Sequence, residues 1–471
     1  MFRELKPYPG YTKSGLPWAS ELPAHWAVCR GKAMFRRMER PVRDEDGVIT
    51  CFRDGRVLLR SRRRTTGFTN AVQEIGYQGI RRGDLVIHAM DAFAGAVGVS
   101  EDDGKSTPVY AVCQPRGEES TRYYAYVVRQ LARSGWILAN AKGIRERSTE
   151  YRWVNFAEEL LPAPPAAEQE AIVTYLAHAH RRIDQAIATK RQLIVLLQEE
   201  LRTIAHEALT RGLNPGTLTK DSGVPRLGPI PAHWEIRRAK DVCEAIIDCK
   251  NRTPPFVAEG RFTVVRTTCI RSGRFSHEGS YPTDEDSFLK WTERGAPRFG
   301  DVFFTREAPA GEAALVPNDL SLCMGQRMMY FRPARTEMTP AFMLQALYGP
   351  VTQGYITLAT NGSTVGHLRL GQVSGLPIIW CPLEEQREIV AHIEARSTPI
   401  TDAILRAERE VALLREFRTS LDAQVVTGQL DVRGISQTLP LIDTAEAFGV
   451  SSSVEDDDKD EAVAEDESEE D

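Results

Sequence analysis

The chain of 471 residues is 42% hydrophobic and 26% charged, which is typical of an ordinary soluble globular protein. No apolar run approaches the length of a membrane span, and the first ten residues lack the pattern of a secretion signal, so neither a membrane nor a secreted protein is expected. The eight cysteines show no zinc spacing, and we expect reduced thiols in a cytoplasmic protein without a metal site.

The formal net charge of −6 is concentrated near the C-terminal end. Residues 455–471 contain twelve acids and one lysine, and without this net charge of −11 the rest of the chain carries +5. We predict a disordered acidic tail over residues 435–471, because its end has almost no apolar content. A solubilising role is favoured over an acidic mimic that competes with nucleic acid for the basic body.

The N-terminal segment, residues 1–26, is a proline-rich lead that recurs later in the chain. Its motifs at 14–17 and 22–26 return at 222–225 and 230–234, with one constant offset between the copies. Each copy ends in His-Trp, and we expect His25 and His233 to pack against the adjacent tryptophans. A repeat of this kind determines the architecture, so we expect two copies of one unit.

Residues 27–161 are predicted to form the first globular domain, of mixed α and β structure. A Gly83-Asp84 turn precedes an apolar run at 85–90, and Gly300-Asp301 precedes a similar run at 302–305 in the second half of the chain. Gly followed by Asp before an apolar run indicates a turn into a strand. Gly95 and Gly311 mark a second turn in each copy. Between these points the sequences of the two copies diverge, which indicates that the two domains carry sites for different targets.

Arginines are concentrated in the first domain, with four in the five residues 60–64. Arginine can bridge phosphates or bind guanine bidentately in the major groove, and polar hydrogen-bonding residues follow directly. A solvated basic loop is the simpler alternative, but the basic body favours DNA. The candidate DNA-binding residues here are Arg60, Arg62, Arg63, Arg64 and Thr65.

Residues 162–212 are predicted to form the first long helix, the central one. Between 168 and 211 the apolar residues recur in steps of three and four, which is typical of a heptad-like stripe. Pro164 and Pro165 lead into the helix, and Gly212 is a plausible cap beyond its end. The residues expected to form the spacer helix or to contact partners are Glu168, Gln169, Ile172, Ile183, Ile187 and Leu197.

A linker over 213–233, which contains the second lead, precedes the second globular domain, residues 234–376. The evidence for DNA-binding residues is weaker in this second domain than in the first, because a lone arginine beside a strand often pairs with a structural carboxylate. The polar loop at 361–364 could approach a DNA backbone through its amides, or could simply be a turn. The DNA-binding candidates are Lys250, Asn251, Arg252, Arg306, Gln326, Arg327, Asn361, Ser363 and Thr364.

A second long helix is predicted over residues 377–434, with a similar apolar stripe and the same Pro-x-x-Glu-Gln start as the first. The two helix starts are separated along the chain by the same number of residues as the two Gly-Asp turns. Two helices with matching stripes can pair with each other, which makes two unrelated core helices an unlikely alternative. Pro399 lies inside the second stretch, and we expect a kink or a break there. The corresponding spacer or partner residues are Glu385, Gln386, Ile389, Ile404 and Leu414.

Two segments imitate catalytic motifs without meeting their requirements. The segment 253–256 resembles the Pro-Pro-aromatic motif of amino-methyltransferases, but it begins with Thr253 where that motif needs Asn, Asp or Ser. The sequence also lacks a glycine-rich loop for S-adenosylmethionine. The segment 104–107 resembles the end of a phosphate-binding loop, but Val99 occupies the position of its first glycine. We find no catalytic centre in the sequence and expect a non-enzyme.

Taken together, the two Gly-x-Pro…Ile/Leu-Pro-x-His-Trp leads, the two divergent domains and the two Pro-x-x-Glu-Gln helices resemble the specificity subunit of a type I restriction–modification enzyme (HsdS family). The resemblance covers about residues 8–434. It implies an α+β fold with an internal two-fold repeat. Two α/β target-recognition domains would be separated by two long helices that form an antiparallel coiled coil.

The resemblance also implies a function in restriction and phage defence. Each domain would recognise one half of a split sequence in double-stranded DNA, and the helices would set the spacing of the halves. The helices would bind two modification subunits, which methylate adenine, and restriction subunits would complete the complex. S-adenosylmethionine, ATP and Mg would be bound by those partners and not by this chain. The competing hypothesis is a coiled-coil adaptor that binds only proteins.

Overall fold

The computed structural model of the chain describes residues 5–63, 74–140, 151–225, 227–318, 321–360 and 366–440. The chain divides into two compact units, Met1–Gln192 with Glu408–Asp471, and Leu193–Ala407. Both units combine helices and strands, which agrees with the predicted α+β class.

The first unit begins with a series of short strands and helices before the first long helix. They are β1 Tyr11–Leu16, β2 Ala19–Pro23, β3 Ala27–Arg30, α1 Gly31–Met34, β4 Phe35–Arg37, β5 Ile49–Cys51, β6 Val57–Leu59, β7 Gln78–Ile80, β8 Leu85–His88, β9 Val97–Val99, β10 Gly104–Ser106, β11 Tyr110–Pro115, α2 Thr121–Arg133, α3 Trp136–Asn140, α4 Trp153–Glu158 and β12 Leu160–Ala163. The first long helix, α5, is Ala166–Arg211.

An antiparallel four-stranded sheet of order β4-β11-β8-β9 forms the centre of this unit. The predicted strand after Gly83 is confirmed as β8, whose Leu85 and Ile87 are fully buried. It ends at His88, two residues before the predicted end, because the chain turns back there into β9. Helix α2 contributes its buried tyrosines and valines to the same core, so this helix fixes one side of the sheet.

The second unit repeats this kind of organisation with more strands. Its elements are β13 Thr219–Asp221, β14 Pro229–Pro231, β15 Glu235–Arg238, α6 Ala239–Val242, β16 Cys243–Asp248, β17 Phe262–Val265, β18 Ile270–Arg271, β19 Arg274–Phe275, β20 Tyr281–Thr283, α7 Glu285–Trp291, β21 Val302–Thr305, β22 Ala313–Leu315, β23 Leu322–Met324, β24 Met328–Pro333, α8 Pro340–Tyr348, α9 Pro350–Thr360, α10 Leu370–Ser374 and β25 Pro377–Trp380. The second long helix, α11 Leu383–Val426, and a short α12, Arg433–Ser436, follow.

The central sheet of the second unit has the order β16-β24-β21-β22 and is again antiparallel throughout. The predicted strand 302–305 is confirmed as β21, and all four of its residues are buried. Helix α8 packs Phe342 and Leu347 into the same core as Phe304 and Phe331. The connections at the ends of β8 and β21 therefore leave equivalent points of two similar sheets.

Two expectations about the second half of the chain need correction. Of the kink or break expected at Pro399, the break is absent, because helix α11 runs without interruption through this exposed residue. The start of the predicted tail belongs to the folded first unit, because α12 extends to Ser436 and the Ile435 and Leu439 side chains pack against the first core. Residues 441–471 lie outside the described part of the chain.

Candidate nucleic-acid interface

In the second unit, three loops that carry predicted DNA-binding residues meet at one end of the sheet. The Arg306 N–H donates to the Arg327 carbonyl at 2.9 Å, and the Gln326 N–H donates to the Thr253 hydroxyl at 3.4 Å. The Arg306 carbonyl accepts from the Leu368 N–H at 3.0 Å. The sheet order explains the meeting point, because β21 and β24 are neighbours and the turn before β24 faces the end of β21.

Charged side chains in this loop cluster pair with each other. Arg306 lies 3.4 Å from Asp248, with only 11% and 16% of the two side chains exposed. Glu307 lies 3.5 Å from Arg327 and 3.2 Å from His367, whose side chains are 46% and 43% exposed. Arg306 therefore fits the simpler alternative of a structural ion pair, whereas Arg327 presents its guanidinium to solvent, from a backbone with φ +73°.

The remaining described candidates of the second domain are consecutive residues of the loop that contains Thr253. Lys250 forms an ion pair with Glu293 at 2.7 Å, and the Arg252 carbonyl accepts from the Trp291 indole at 2.7 Å. Asn251 and Arg252 are exposed. Asn361, Ser363 and Thr364 lie outside the described residues.

In the first unit, the described members of the arginine cluster make contacts within their own domain. Arg60 donates to the Thr50 hydroxyl at 3.0 Å. Arg62 pairs with Asp102 at 2.8 Å, which raises the pKa of the Arg62 guanidinium, and this side chain is 49% exposed. Arg64 and Thr65 lie outside the described residues.

Arg63 is more enclosed than Arg62. It pairs with Asp54 at 2.7 Å, with 11% and 9% of the two side chains exposed, and lies 4.1 Å from the centre of the Phe52 ring. An arginine so placed stabilises the β5–β6 hairpin, and Arg62 is the described member best exposed to a DNA phosphate.

A polar cluster at the end of β8 was missed by the sequence analysis. The Asp91 carboxylate lies 3.2 Å from His88 Nδ1 and accepts from Arg53 Nη2 at 3.1 Å. Burial is the main cause that lowers the pKa of His88, against the opposing charge of Asp91. The sequence contained a signal for the position of this cluster. His88 and Thr305, the last residue of β21, are separated by the same offset as the two Gly-Asp turns, so His88 is expected at the end of the equivalent strand.

The motif glutamates attach the leads to the starts of the long helices. Glu168 is 4% exposed and accepts from Trp26 Nε1 at 2.9 Å and from the Tyr8 hydroxyl, while His25 Nε2 lies 2.9 Å away. In the second unit, Glu385 accepts from Trp234 Nε1 at 3.0 Å and lies 2.8 Å from His233 Nε2. The repeated His-Trp pairs thus bind a carboxylate, beyond the expected packing of the two rings.

The motif glutamines connect each helix start to the domain before it. Gln169 accepts from the Ser120 N–H and Gln386 accepts from the Thr339 N–H, both at 2.8 Å. Both side chains are buried. Each also donates to a carbonyl just before its own helix, at Pro164 and Cys381 respectively. The motif Glu-Gln is therefore a joint between helix and domain; Glu168, Gln169 and Gln386 are buried there, whereas Glu385 is partly exposed.

Within the first unit, α5 and α11 run side by side in opposite directions. Successive ion pairs connect Lys190 to Glu410 at 2.5 Å, Asp184 to Arg418 at 3.0 Å, and His180 to Asp422 at 2.6 Å. Lys190, which interrupts the apolar stripe, is thus neutralised by the Glu410 carboxylate of the other helix. The apolar contacts of this segment come from Ile183, Ile187, Val411 and Leu414.

In the second unit, the same two helices both contribute to the domain core. Ile389, which is fully buried, shares a cluster with Ala208 and Leu209. Ile404 is 9% exposed, whereas Leu197 is only half-buried. Ile172 is fully buried in the core of the first unit. The stripe residues therefore pack most tightly where a helix meets its own globular domain.

Among the residues that the structure describes, no group of His, Cys, Asp and Glu is arranged to hold a metal ion. No helix in the described ranges is both long and apolar enough to cross a membrane. The cysteines are free thiols.

Comparison with known families shows what part of this chain is similar to. Residues 231–407 match the type I restriction modification DNA specificity domain. The chain is thus similar to type I specificity subunits, which confirms the resemblance predicted from its motifs.

The individual relatives are distant. The specificity subunit of the type I restriction enzyme EcoBI from Escherichia coli is 20% identical over 296 residues, 60% of this chain and 61% of that protein. The alignment thus spans about three fifths of the curated relative. A chain from a structure of type I R-M complex assembly and conformational transition is 16% identical, with a TM-score of 0.63 over 86% of this chain and 98% of that one. The HsdS subunit from Thermoanaerobacter tengcongensis gives 18% identity and a TM-score of 0.46, over 87% and 98% of the two chains.

Proposed function

We propose that this chain is the DNA specificity subunit of a type I restriction–modification complex and recognises a split sequence in double-stranded DNA. The match of residues 231–407 to a DNA specificity domain carries the proposal. The equivalent sheet order in the first unit supports a second domain of the same kind, which would recognise the other half-site. Exposed Arg327 and Gln326 in one domain and Arg62 in the other are candidate contacts.

The two long helices would act as a spacer between the half-sites, as an antiparallel coiled coil within a two-fold repeat. The opposite direction of α5 and α11 in the first unit supports this arrangement. So do the constant offset between the two helix starts and the same glutamate and glutamine joint in both units. A rigid spacer of constant length would hold the unread base pairs between the half-sites at a constant number.

The helices would also bind two modification subunits, and restriction subunits would join the larger complex. Large apolar side chains that remain exposed on the helices support such a surface, because soluble helices rarely expose several of them without a partner. They are Leu193, Val195 and Leu196 on α5, and Leu405 and Leu413 on α11. We place S-adenosylmethionine, ATP and Mg on those partners, with no catalysis by this chain and a cytoplasmic location.

Long-read methylation mapping of host DNA tests the proposal directly. The cell would carry the modification subunit with the wild-type chain, without the chain, or with the exposed control Glu170→Gln. We expect a methylated motif of two short half-sites that disappears without the chain and is unchanged by the control. Absence of any split motif, or methyl transfer by the purified chain alone, would contradict the proposed function and favour the protein-binding adaptor or an enzyme.

A further inference from the structure

In the first unit, Arg129 on α2 bridges two loops that emerge at the same end of the sheet. Its Nη1 donates to the Gly95 carbonyl at 2.9 Å and to the Arg53 carbonyl at 3.4 Å. Gly95 belongs to the connection between β8 and β9, and Arg53 to the hairpin between β5 and β6. The fit is close, because a Cβ at Gly55 would lie 1.9 Å from Arg129 Nη1. Burial lowers the pKa of Arg129 to about 10, so the guanidinium remains charged at neutral pH.

In the second unit, Tyr348 on α8 connects the equivalent loop to a different hairpin. Its hydroxyl accepts from the Gly273 N–H at 2.8 Å and from the Ala313 N–H at 3.0 Å, and donates to the Glu312 carboxylate at 2.8 Å. The same carboxylate accepts from the Ser272 N–H at 2.5 Å. The Tyr348 hydroxyl thus joins the β21–β22 connection to the β18–β19 turn.

Arg129 and Tyr348 occupy the same position of two similarly anchored helices. The helices begin after Ser120 and Thr339, whose side chains cap the first turn, and each residue is the ninth after its cap. The cap N–H donates to the motif glutamine in both units, at 2.8 Å. The chemistry is opposite, since Arg129 donates to carbonyls whereas Tyr348 accepts from amides. The connection that each residue holds is nevertheless the equivalent one.

The loops held in this way carry exposed charged groups. In the first unit they include Arg53 and Asp91, which pair at 3.1 Å with side chains 41% and 35% exposed. In the second unit the β18–β19 turn lies between the exposed Arg271 and Arg274. A side chain can discriminate bases only when its own loop is held in position, and a loose supporting shell degrades such a site.

We propose that Arg129 and Tyr348 are positioning residues for DNA recognition, each fixing the base-reading loops of its own domain and therefore one half-site. This inference rests on the proposed function and adds to it two residues that affect specificity by holding the loops in position. Neither residue is required to touch DNA, because each acts through main-chain atoms of the loops. The two domains would thus use one helix position for the same task with different chemistry.

The test compares Arg129→Met, Arg129→Lys and Tyr348→Phe by methylation mapping, with the full chain and the modification subunit present. Arg116→Met is the matched control for the arginine, since Arg116 also donates to two main-chain carbonyls, of Lys32 and Phe35, on the β4 side of the sheet. Tyr355→Phe, a partly buried tyrosine of α9, is the control for Tyr348. Thermal unfolding of each protein measures any loss of stability separately.

We expect Arg129→Met to reduce the preference for the cognate base over a mismatch by about tenfold within one half-site, the lower part of the range for a single base contact. Tyr348→Phe should do the same within the other half-site, Arg129→Lys should restore part of the preference, and both controls should leave the motif unchanged. Uniform loss of methylation with unaltered base preference, or an unaltered motif, would overturn the inference. A wild-type chain that produces no split motif would instead overturn the proposed function itself.

Discussion

At the scale of single residues, one buried carboxylate joins the N-terminal lead to the start of a long helix. Glu168 accepts from Tyr8, Trp26 and His25 while it is 4% exposed. Replacing it by glutamine removes the charge that strengthens these hydrogen bonds, and hydrogen bonds to charged groups contribute about 1.5–3 kcal/mol. We therefore predict that Glu168→Gln lowers the free energy of unfolding of the first unit by about 2 kcal/mol.

Urea unfolding followed by tryptophan fluorescence measures this change, because Trp26 itself contacts the carboxylate. Glu170→Gln on the same helix is the control, since Glu170 is exposed and should change stability by less than about 0.5 kcal/mol. Equal stability of Glu168→Gln and the control would show that the carboxylate is not needed at this joint.

A second buried carboxylate predicts how stability depends on pH. Burial alone would raise the pKa of Asp422, but the charges and hydrogen bonds of His180 and Arg133 outweigh it and hold the pKa well below its usual value. A depressed carboxyl pKa stabilises the fold above the unfolded pKa of about 3.9, and the stabilisation is lost as the pH falls below it. Asp422→Asn should therefore cost about 3–5 kcal/mol at neutral pH, with a smaller difference from wild type below about pH 4.

Urea titrations between pH 3 and 7 check this prediction, with exposed Asp402→Asn on the same helix as the control. A difference between wild type and Asp422→Asn that stays constant down to pH 3 would mean that the pKa of Asp422 is the same in the folded and the unfolded chain, contrary to the depressed pKa.

Single residues also show why the candidate site was only partly predictable. The arginines at 60–63 were recognisable as a basic cluster, but their acidic partners could not be inferred. Asp102 lies 40 residues after Arg62, and its approach depends on the packing of two hairpins. Patterns along the chain indicate residue types and periods, whereas ion pairs between distant loops follow from the tertiary fold.

At the scale of elements, the two long helices were recognisable from the sequence, whereas most of the short strands were not. The first helix was predicted over 162–212, with its stripe over 168–211, and runs over Ala166–Arg211, because a long apolar stripe with proline before it and glycine after it gives a clear signal. The second was predicted over 377–434 and is shorter at both ends, Leu383–Val426. Many strands contain only three residues, such as β5 and β6, and are too short to show an alternating pattern. Of the kink or break expected at Pro399, the break does not occur, because packing along a long helix can outweigh a local helix breaker.

Two faces of α5 should respond differently to the same substitution. Ile187 is 6% exposed and packs with Val411 and Leu414, so Ile187→Asp introduces a charge into an apolar contact and should destabilise the first unit. Leu196 is 56% exposed, so Leu196→Asp should leave folding intact but weaken binding of the proposed modification subunit. Thermal unfolding and co-elution with that subunit separate the two effects. Unimpaired co-elution of Leu196→Asp would exclude this surface from the partner interface.

At the scale of the whole molecule, the repeat explains more than any single motif does. Two constant offsets, one for the leads and a slightly larger one for the later motifs, place corresponding residues at corresponding points of two sheets with the same strand order. The shared residues belong to the frame, namely the His-Trp leads, the Gly-Asp turns and the Glu-Gln joints. The residues that differ include those in the connections at the ends of β8 and β21. Comparison of the two copies within one sequence therefore identifies the shared frame. The connections differ between the copies, so the same comparison cannot identify their functional residues.

The charge distribution leads to a last prediction, for the chain as a whole. Residues 455–471 carry a net charge of −11, while the rest of the chain carries +5. A solubilising tail should contribute nothing to base recognition, so deletion of 455–471 should leave the methylated motif unchanged. A competitor for the basic body should instead weaken DNA binding, most strongly at low salt, where charges separated by about 10 Å or more are least screened. Methylation mapping, together with DNA affinity at about 50 and about 200 mM salt, separates the two roles. An altered motif would show that the tail takes part in recognition, and tighter binding restricted to low salt would favour the competing acidic mimic over the solubilising role.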